Sequence, residues 1–359
     1  MSEKLRCVII GCGRISSKHI EVMSDLPDVQ LVGICDIRPD RLEGAVVANG
    51  AQRFCDYLDM VKTMNPDVVS VLTESGSHSR IACDVVPYTK NVVVEKPMAL
   101  TLDDADRMIG TCDHAGVSLF VVKQNRYNRP VIKLRQALDA GRFGKLALGT
   151  VRVRWCRPQA YYDQDAWRGT WKDDGGVFAN QASHHVDLLQ WMMGPVESVQ
   201  SYTATRLVDI EVEDVGLAIL RFTSGALGVV EATTTARPKD LEGSLSIMGE
   251  RGAVVIGGFA VNRVDTWNFD TTSQDDEHPD EWSQNPPTVY GHGHMEFYKD
   301  IIGCIRGKRR AMLDGLEGRK SLELIIAIYQ AAATRREVRL RYVPEGVPLG
   351  IGFPGPANS

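Results

Sequence analysis

At 359 residues the chain is long enough for about two domains, each with its own core. Its 43% hydrophobic and 24% charged residues are those of an ordinary globular protein, and a net charge of −5 leaves no basic footprint for nucleic acid. No apolar run approaches a membrane span, and the amino terminus enters a strand without the long apolar core of a signal peptide.

The first predicted strand, Arg6 to Ile10, runs directly into Gly11-Cys12-Gly13-Arg14-Ile15-Ser16. This is G-x-G-x-x-S, with serine where a third glycine usually stands. Gly11 permits a tight turn, Gly13 lets backbone approach a pyrophosphate, and the small Ser16 keeps helix close to strand. A helix from about Ser16 to Met23 would offer its free N–H groups and dipole to the phosphates. The second strand, Val29 to Cys35, ends at Asp36, 23 residues beyond Gly13, where a carboxylate takes adenosine ribose hydroxyls. That favours NAD. Arg38 nearby keeps NADP open, although it also reads as a solvated loop arginine.

The α/β alternation continues with a helix at Arg41 to Asn49, a strand at Ala51 to Phe54, a helix at Tyr57 to Met64 and a buried strand at Val68 to Leu72. That strand ends in Thr73-Glu74-Ser75-Gly76-Ser77-His78, small hydroxylated residues suited to a loop beneath a nicotinamide ribose. His78 opens the next helix and is a candidate cofactor contact. Val92 to Val94 reads as a strand buried on both faces, stopped by Glu95-Lys96-Pro97. Open α/β sheets place ligands at the carboxyl ends of their strands, which makes Lys96 a candidate active-site residue. Taken alone, the triplet reads equally well as a solvated strand end. A capping box at Thr101 and Asp104 starts a helix to about Ala115, and Ser118 to Val122 is the last strand before the polar run Lys123-Gln124-Asn125-Arg126-Tyr127-Asn128.

The G-x-G-x-x-S turn, Asp36, the loop at 73–78 and Glu95-Lys96-Pro97 resemble the Gfo/Idh/MocA oxidoreductase family, over nearly the whole chain. The resemblance implies an α/β protein: a Rossmann dinucleotide-binding domain at 1–126, then an α+β substrate and oligomerisation domain with an open, mainly antiparallel sheet at 127–343, and an irregular tail at 344–359. It implies an NAD site formed by Gly11, Gly13, Arg14, Ile15, Asp36, Arg38, Thr73, Ser75, His78, Glu95, Lys96, Gln124, Trp167 and Arg168. Residues 123–126 and Phe178-Ala179-Asn180-Gln181-Ala182-Ser183-His184-His185-Val186-Asp187 are similar to a branch of that family. That branch oxidises the C3 hydroxyl of UDP-N-acetylglucosaminuronic acid in bacterial surface-polysaccharide (O-antigen) sugar biosynthesis.

The second domain has strand signals at Leu146–Trp155, Val199–Leu207, Val215–Phe222, Ala226–Thr235, Leu245–Met248 and Ala253–Ile256, with hairpin chemistry at 223–225 and 249–252. Arg152 and Arg154 alternate with Val151 and Val153 and read as a solvated sheet face. Arg157, Tyr161, Tyr162 and Trp167-Arg168-Gly169-Thr170-Trp171 suit a nucleotide sugar, because guanidinium groups bind phosphate and carboxylate bidentately. A helix from about Val177 to Met193 places Asn180, His184 and Asp187 on one face. Under the resemblance His184 is the catalytic histidine, and Asp187 is placed to hold its imidazole. Most relatives carry aspartate where this chain has Asn180, which shifts proton handling to His184 and Lys96 and leaves Asn180 to position substrate. His185 points elsewhere and reads as packed.

Residues 266–294 read as a long, polar, irregular insertion. Its Tyr290-Gly291-His292-Gly293-His294 lacks a third convincing ligand, so no metal is expected; the resemblance implies Tyr290 or His294, with Asn125 and Arg126, as candidate substrate contacts. Helices at Met295–Ile305 and Gly318–Ala333 and a strand at Glu337–Tyr342 close the chain. The eight cysteines show neither C-x-x-C nor metal spacing, as expected of reduced thiols in a cytoplasmic protein.

The expected chemistry is oxidation of a sugar hydroxyl, with His184 as base and Lys96 bridging cofactor and hydroxyl; Lys96 is the alternative base if burial lowers its pKa. The resemblance also implies a homo-oligomer, tetramer or dimer, and in some relatives regeneration of bound cofactor by 2-oxoglutarate. Two other readings stay open: a dehydrogenase of a free polyol or sugar such as inositol or glucose, and a non-catalytic dinucleotide-sensing regulator. Retention of both Lys96 and His184 argues against the regulator.

Overall fold

The computed structural model describes residues 3–47, 50–273, 276, 279–283, 291, 293–308 and 311–340. The expectations for Tyr290, His292 and the tail beyond 340 lie outside the described residues.

The amino-terminal third alternates strand and helix: β1 (Leu5–Ile10), α1 (Ser16–Asp25), β2 (Val29–Cys35), α2 (Pro39–Gly44), β3 (Gln52–Phe54), α3 (Tyr57–Met64), β4 (Val68–Val71), α4 (His78–Val85), β5 (Asn91–Val94), α5 (Leu102–Ala115) and β6 (Ser118–Val121). All six strands are parallel, in the order β3-β2-β1-β4-β5-β6. The order reverses between β1 and β4, the crevice where doubly wound sheets bind dinucleotides. The valine runs are buried on both faces because helices cover both. Val92 and Val94 pack with α3, α4 and α5, and Val93 packs on the opposite face with α1. Helix α2 is shorter than the sequence pattern suggested, because the chain bends away after Gly44.

A short 3₁₀ turn, Gln124–Tyr127, leads to α6 (Arg129–Asp139), then β7 (Leu146–Arg154), α7 (Gln159–Tyr162) and α8 (Ser183–Met193). The strands β8 (Val196–Ala204), β9 (Val215–Phe222), β10 (Leu227–Thr233), β11 (Glu242–Gly249), β12 (Gly252–Gly257) and β13 (Arg263–Phe269) follow, then α9 (Gly293–Ile305), α10 (Gly315–Thr334) and β14 (Val338–Arg339). The second sheet runs β13-β12-β11-β7-β10-β9-β8-β14 and is antiparallel except between β7 and β10. Val151, Val153, Leu220, Phe222, Val230, Leu245 and Ile247 point to the face covered by α6, α8 and α10. Among the described residues, nothing covers the other face.

Strand β13 corrects one expectation: residues 266–269, assigned to an irregular insertion, pair with β12. Their alternation of polar and aromatic side chains suits an edge strand with one packed face. Packing also crosses the boundary at 126/127. Phe297, Tyr298, Ile301 and Ile302 of α9 complete the core beneath β1 and β5, and Leu322 of α10 joins the core on the other face of the first sheet.

Candidate active site

The carboxyl ends of β1, β2, β4 and β5 open into a cavity of about 1060 Å³ that continues between the two halves of the chain. Thirteen of the residues expected at the cofactor line it: Gly11, Gly13, Arg14, Ile15, Asp36, Arg38, Thr73, Ser75, Glu95, Lys96, Gln124, Trp167 and Arg168. Gly11 has φ +99°, and a Cβ there would lie 2.7 Å from the Leu72 carbonyl oxygen, so only glycine fits. Ser16 does what a third glycine cannot: its hydroxyl donates to the Gly13 carbonyl at 2.6 Å and ties the turn to α1. Asp36 accepts the Cys12 N–H at 2.8 Å and the Arg38 N–H at 2.9 Å, which fixes its carboxylate at the end of β2. The loop after β4 is held by Thr73 and Ser77, whose hydroxyls are 2.7 Å apart.

The end of the cavity away from the glycine turn is built on Glu95-Lys96. Glu95 accepts the Lys96 backbone N–H at 2.9 Å and meets His19 Nε2 at 3.0 Å, while His19 Nδ1 lies 2.7 Å from the Tyr298 hydroxyl. Burial works against the Glu95 charge, but the His19 hydrogen bond and nearby positive groups outweigh it and hold the carboxyl at about 2. The backbone on either side of Lys96 is thereby braced from below. Lys96 Nζ donates to the Asn180 carbonyl oxygen at 2.9 Å and to Asn180 Oδ1 at 3.2 Å. Burial draws the Lys96 ammonium down from its usual range; Glu95 and Asp174 oppose that, and Arg157 and Arg168 add to it.

Asn180 is itself held. Its Nδ2 donates to Asp174 Oδ1, and Asp174 Oδ2 accepts the Gly169 N–H at 2.7 Å. Asp174 therefore fixes the amide with its oxygen toward Lys96. Burial pushes the Asp174 carboxyl up to about 6, although the bonds to Gly169 and Asn180 restrain it. The sequence reading missed Asp174. Its place before Gly175-Gly176, ahead of the helix, was a signal without a stated partner.

The segment 177–181 is a π turn rather than the first turn of an α-helix, with Ala182 N–H reaching back to the Val177 carbonyl at 2.8 Å. Such wide turns recur at functional sites. This one joins α8 at Asn180 and His184, so both side chains face Lys96 across the cleft. His184 is almost fully buried, and its Nε2 lies 3.1 Å from the Gln124 amide nitrogen. With the amide donating, the ring is neutral and carries its proton on Nδ1. Burial, reinforced by Lys96, lowers the His184 pKa well below its usual value, so it is neutral throughout the neutral range.

Beyond Lys96 the chamber is lined by Trp155, Arg157, Tyr161, Gln181 and Asp240. The Arg157 guanidinium lies over Trp155 and Tyr161, at 5.2 and 5.4 Å from the ring centroids, and bonds Asp240 at 2.9 Å. Arg168 donates to the Tyr161 hydroxyl at 2.8 Å and stacks on Trp167.

Five expected residues stand elsewhere. Arg126 is buried in an ion pair with Asp187 at 2.7 and 2.8 Å and with Glu317 at 3.0 Å, behind the cavity wall. Asp187, expected to hold the His184 imidazole, instead pairs with Arg126 and Lys123, which drive its carboxyl far down despite burial. Asn125 is buried and off the cavity lining. His78 also lies off the lining; it bridges the Pro97 and Thr73 carbonyls at 2.8 and 3.0 Å and so braces the loop that carries Lys96. His294 is buried edge-on to His19, with centroids 5.2 Å apart. Among the described residues, His19, Glu95 and His294 form one grouping whose ligand atoms lie within 4.8 Å of one another. Both His19 nitrogens already serve Tyr298 and Glu95, so the grouping reads as a buried hydrogen-bond relay.

Residues 5–123 match the family model for an oxidoreductase family with an NAD-binding Rossmann fold, and residues 131–255 match the GFO/IDH/MocA C-terminal domain. The chain belongs to the Gfo/Idh/MocA oxidoreductase family. It is similar to the WlbA dehydrogenase from Bordetella pertussis, whose crystal structure holds NADH and UDP-GlcNAcA: 45% identity, 96% of this chain and 99% of that one covered, TM-score 0.92. A second WlbA dehydrogenase, from Chromobacterium violaceum, crystallised with the same pair, is 42% identical over 96% and 98% of the two chains, with TM-score 0.90. Myo-inositol 2-dehydrogenase from Thermotoga maritima is 29% identical over 94% of this chain and 99% of its own length. This Gfo/Idh/MocA protein is accordingly an NAD-dependent oxidoreductase.

Proposed function

We propose that the enzyme oxidises the C3 hydroxyl of UDP-N-acetylglucosaminuronic acid to the ketone, in bacterial surface-polysaccharide sugar biosynthesis. The observation that carries this reading is the junction at Lys96. There the dinucleotide crevice meets a chamber of arginines and aromatic rings, and Lys96, Asn180 and His184 converge. Guanidinium groups backed by aromatic faces suit the diphosphate and carboxylate of such a sugar. The similarity to two WlbA dehydrogenases crystallised with UDP-GlcNAcA supports the same substrate.

When bound over Gly11–Ser16, NAD supplies the acceptor for the hydride lost from C3. The chain's own groups manage the proton. Lys96 has two N–H bonds committed to Asn180 and aims a third at the hydroxyl, where its charge favours the developing alkoxide. Neutral His184 takes the hydroxyl proton at Nε2, its unprotonated nitrogen, where the sugar hydroxyl replaces the Gln124 N–H as donor. We infer further that the enzyme works in the cytoplasm as a homo-oligomer built on its open sheet face, and that 2-oxoglutarate serves to reoxidise the NADH.

The inositol dehydrogenases among its relatives keep a polyol substrate as the competing reading. Absorbance at the NADH band, with UDP-N-acetylglucosaminuronic acid or myo-inositol offered to the purified enzyme and NAD, separates the two. Turnover of the nucleotide sugar, lost in both Lys96→Ala and His184→Ala, is the expected result. Turnover of inositol alone would overturn the assignment. Adding 2-oxoglutarate to the productive mixture is expected to return the absorbance to baseline.

A further inference from the structure

Beside Asp36 stand two guanidinium groups that, left alone, would form a ready clamp for a phosphate on the adenosine ribose. Arg38 and Arg41 begin and occupy α2, and both line the cofactor cavity. Arg41 reaches the glycine turn itself, its Nη1 lying 3.9 Å from where a Gly13 Cβ would stand. Two arginines so placed would give NADP a foothold despite Asp36.

The second half of the chain occupies that clamp. Asp165, in the turn after α7, crosses the mouth of the crevice and places Oδ1 on Arg41 Nη2 and 3.4 Å from Arg38 Nη1. Its Oδ2 is 3.4 Å from Arg168 Nε. The Asp165 side chain is only 13% exposed, so the pair with Arg41 is shielded from salt better than a surface bridge. Arg38 gives its remaining edge to Asp40 at 2.7 Å. Arg41 is thus neutralised by Asp165, which arrives from outside the Rossmann half, and Arg38 chiefly by Asp40 with Asp165 as its second partner.

We propose that Asp165 is a specificity-determining residue, excluding the 2′-phosphate of NADP by occupying Arg38 and Arg41. Asp36 repels the phosphate from the floor of the site, and Asp165 repels it from the roof while removing its counter-charges. The discrimination is completed only when the two halves of the chain meet over the cofactor. No local fingerprint after β2 carries it in full.

The test is the ratio of NADPH to NADH dissociation constants, read by cofactor fluorescence in the full-length enzyme without sugar, which keeps it independent of the substrate assignment. Asp165→Asn keeps the shape and removes the charge. It is expected to shift the ratio toward NADPH by about tenfold, and Asp165→Glu to restore the parent ratio. The double variant Asp165→Asn with Arg41→Met is expected to lose that gain, because the freed clamp is gone. Equal weakening of both cofactors in Asp165→Asn would overturn the proposal and leave Asp165 as a latch between the halves. An unchanged ratio in a thermally stable Asp165→Asn would overturn it outright.

Discussion

At the scale of single residues, the site depends on which way one amide faces. Asn180 presents its oxygen to Lys96 because Asp174 takes its nitrogen. Asp174→Asn allows the amide to turn and offer N–H to an ammonium. Turnover is expected to fall on the order of 10- to 100-fold while NADH affinity holds, measured by steady-state kinetics and fluorescence titration. The same variant has a stability signature. A carboxyl held near 6 in the fold and near 3.8 when unfolded keeps a proton that the unfolded chain releases. Stability from this group is therefore lost as pH rises from about 4 to 6, and Asp174→Asn should gain on the parent across that window in denaturant titrations. The pH–rate profile assigns the base. With His184 lowered well below 6.5, the acid limb of kcat/KM is expected below that value; a limb between 7 and 10 would transfer the role to Lys96. The places of Lys96 and the glycine turn on the cavity lining were legible in the sequence from their offsets at strand ends, whereas His184 was reached through the family resemblance. Arg126 was misread because its partners lie 61 and 191 residues away, beyond any local pattern. As a buried pair member, Arg126→Leu should cost about 3–5 kcal/mol in unfolding free energy with no selective rise in KM.

At the scale of elements, one close approach positions the residue beside His184. Helix α9 begins with Gly293, where a Cβ would sit 1.9 Å from the Gln124 carbonyl oxygen. Gly293→Ala must push the 124–127 turn away from α9, and Gln124 carries the contact that sets the His184 tautomer. The expected outcome is a lower melting temperature together with a loss of kcat larger than any change in cofactor affinity. The first sheet was readable almost to the residue, since parallel valine strands buried on both faces leave little ambiguity in period or length. The π turn at 177–181 was not, because its residues share the apolar pattern of the α-helix they precede. The turn is imposed by its surroundings: Glu213 accepts the Phe178 N–H at 3.1 Å, and the Tyr329 hydroxyl accepts those of Gly176 and Ala179. Strand β13 escaped for a related reason, as an edge strand of mixed polarity carries a weak period-two signal.

At the scale of the molecule, nothing among the described residues packs on one face of the eight-stranded sheet. Tyr202 is 78% exposed and Ile219 59%, with Leu217, Leu227 and Met248 also open across β8, β9, β10 and β11. Arg154 bonds Glu231 at 2.5 Å and Glu242 at 3.1 Å along the middle of that face, so its charges are already matched within the chain. A face of paired charges bordered by apolar side chains loses little on desolvation and gains from covering the borders, which is the arrangement a second copy can use. Two-fold symmetry would set the same strands against each other and double each contact. This face is therefore the surface on which the proposed oligomer would be built. Ile219→Glu, central and exposed, buries an unmatched charge in the associated state while costing the isolated chain little. Light scattering is expected to give a multiple of the chain mass for the parent and a single chain mass for Ile219→Glu, with the circular dichroism spectrum unchanged. A parent that is monomeric at working concentration would remove the proposed interface, and an oligomer that tolerates Ile219→Glu would move it to another surface.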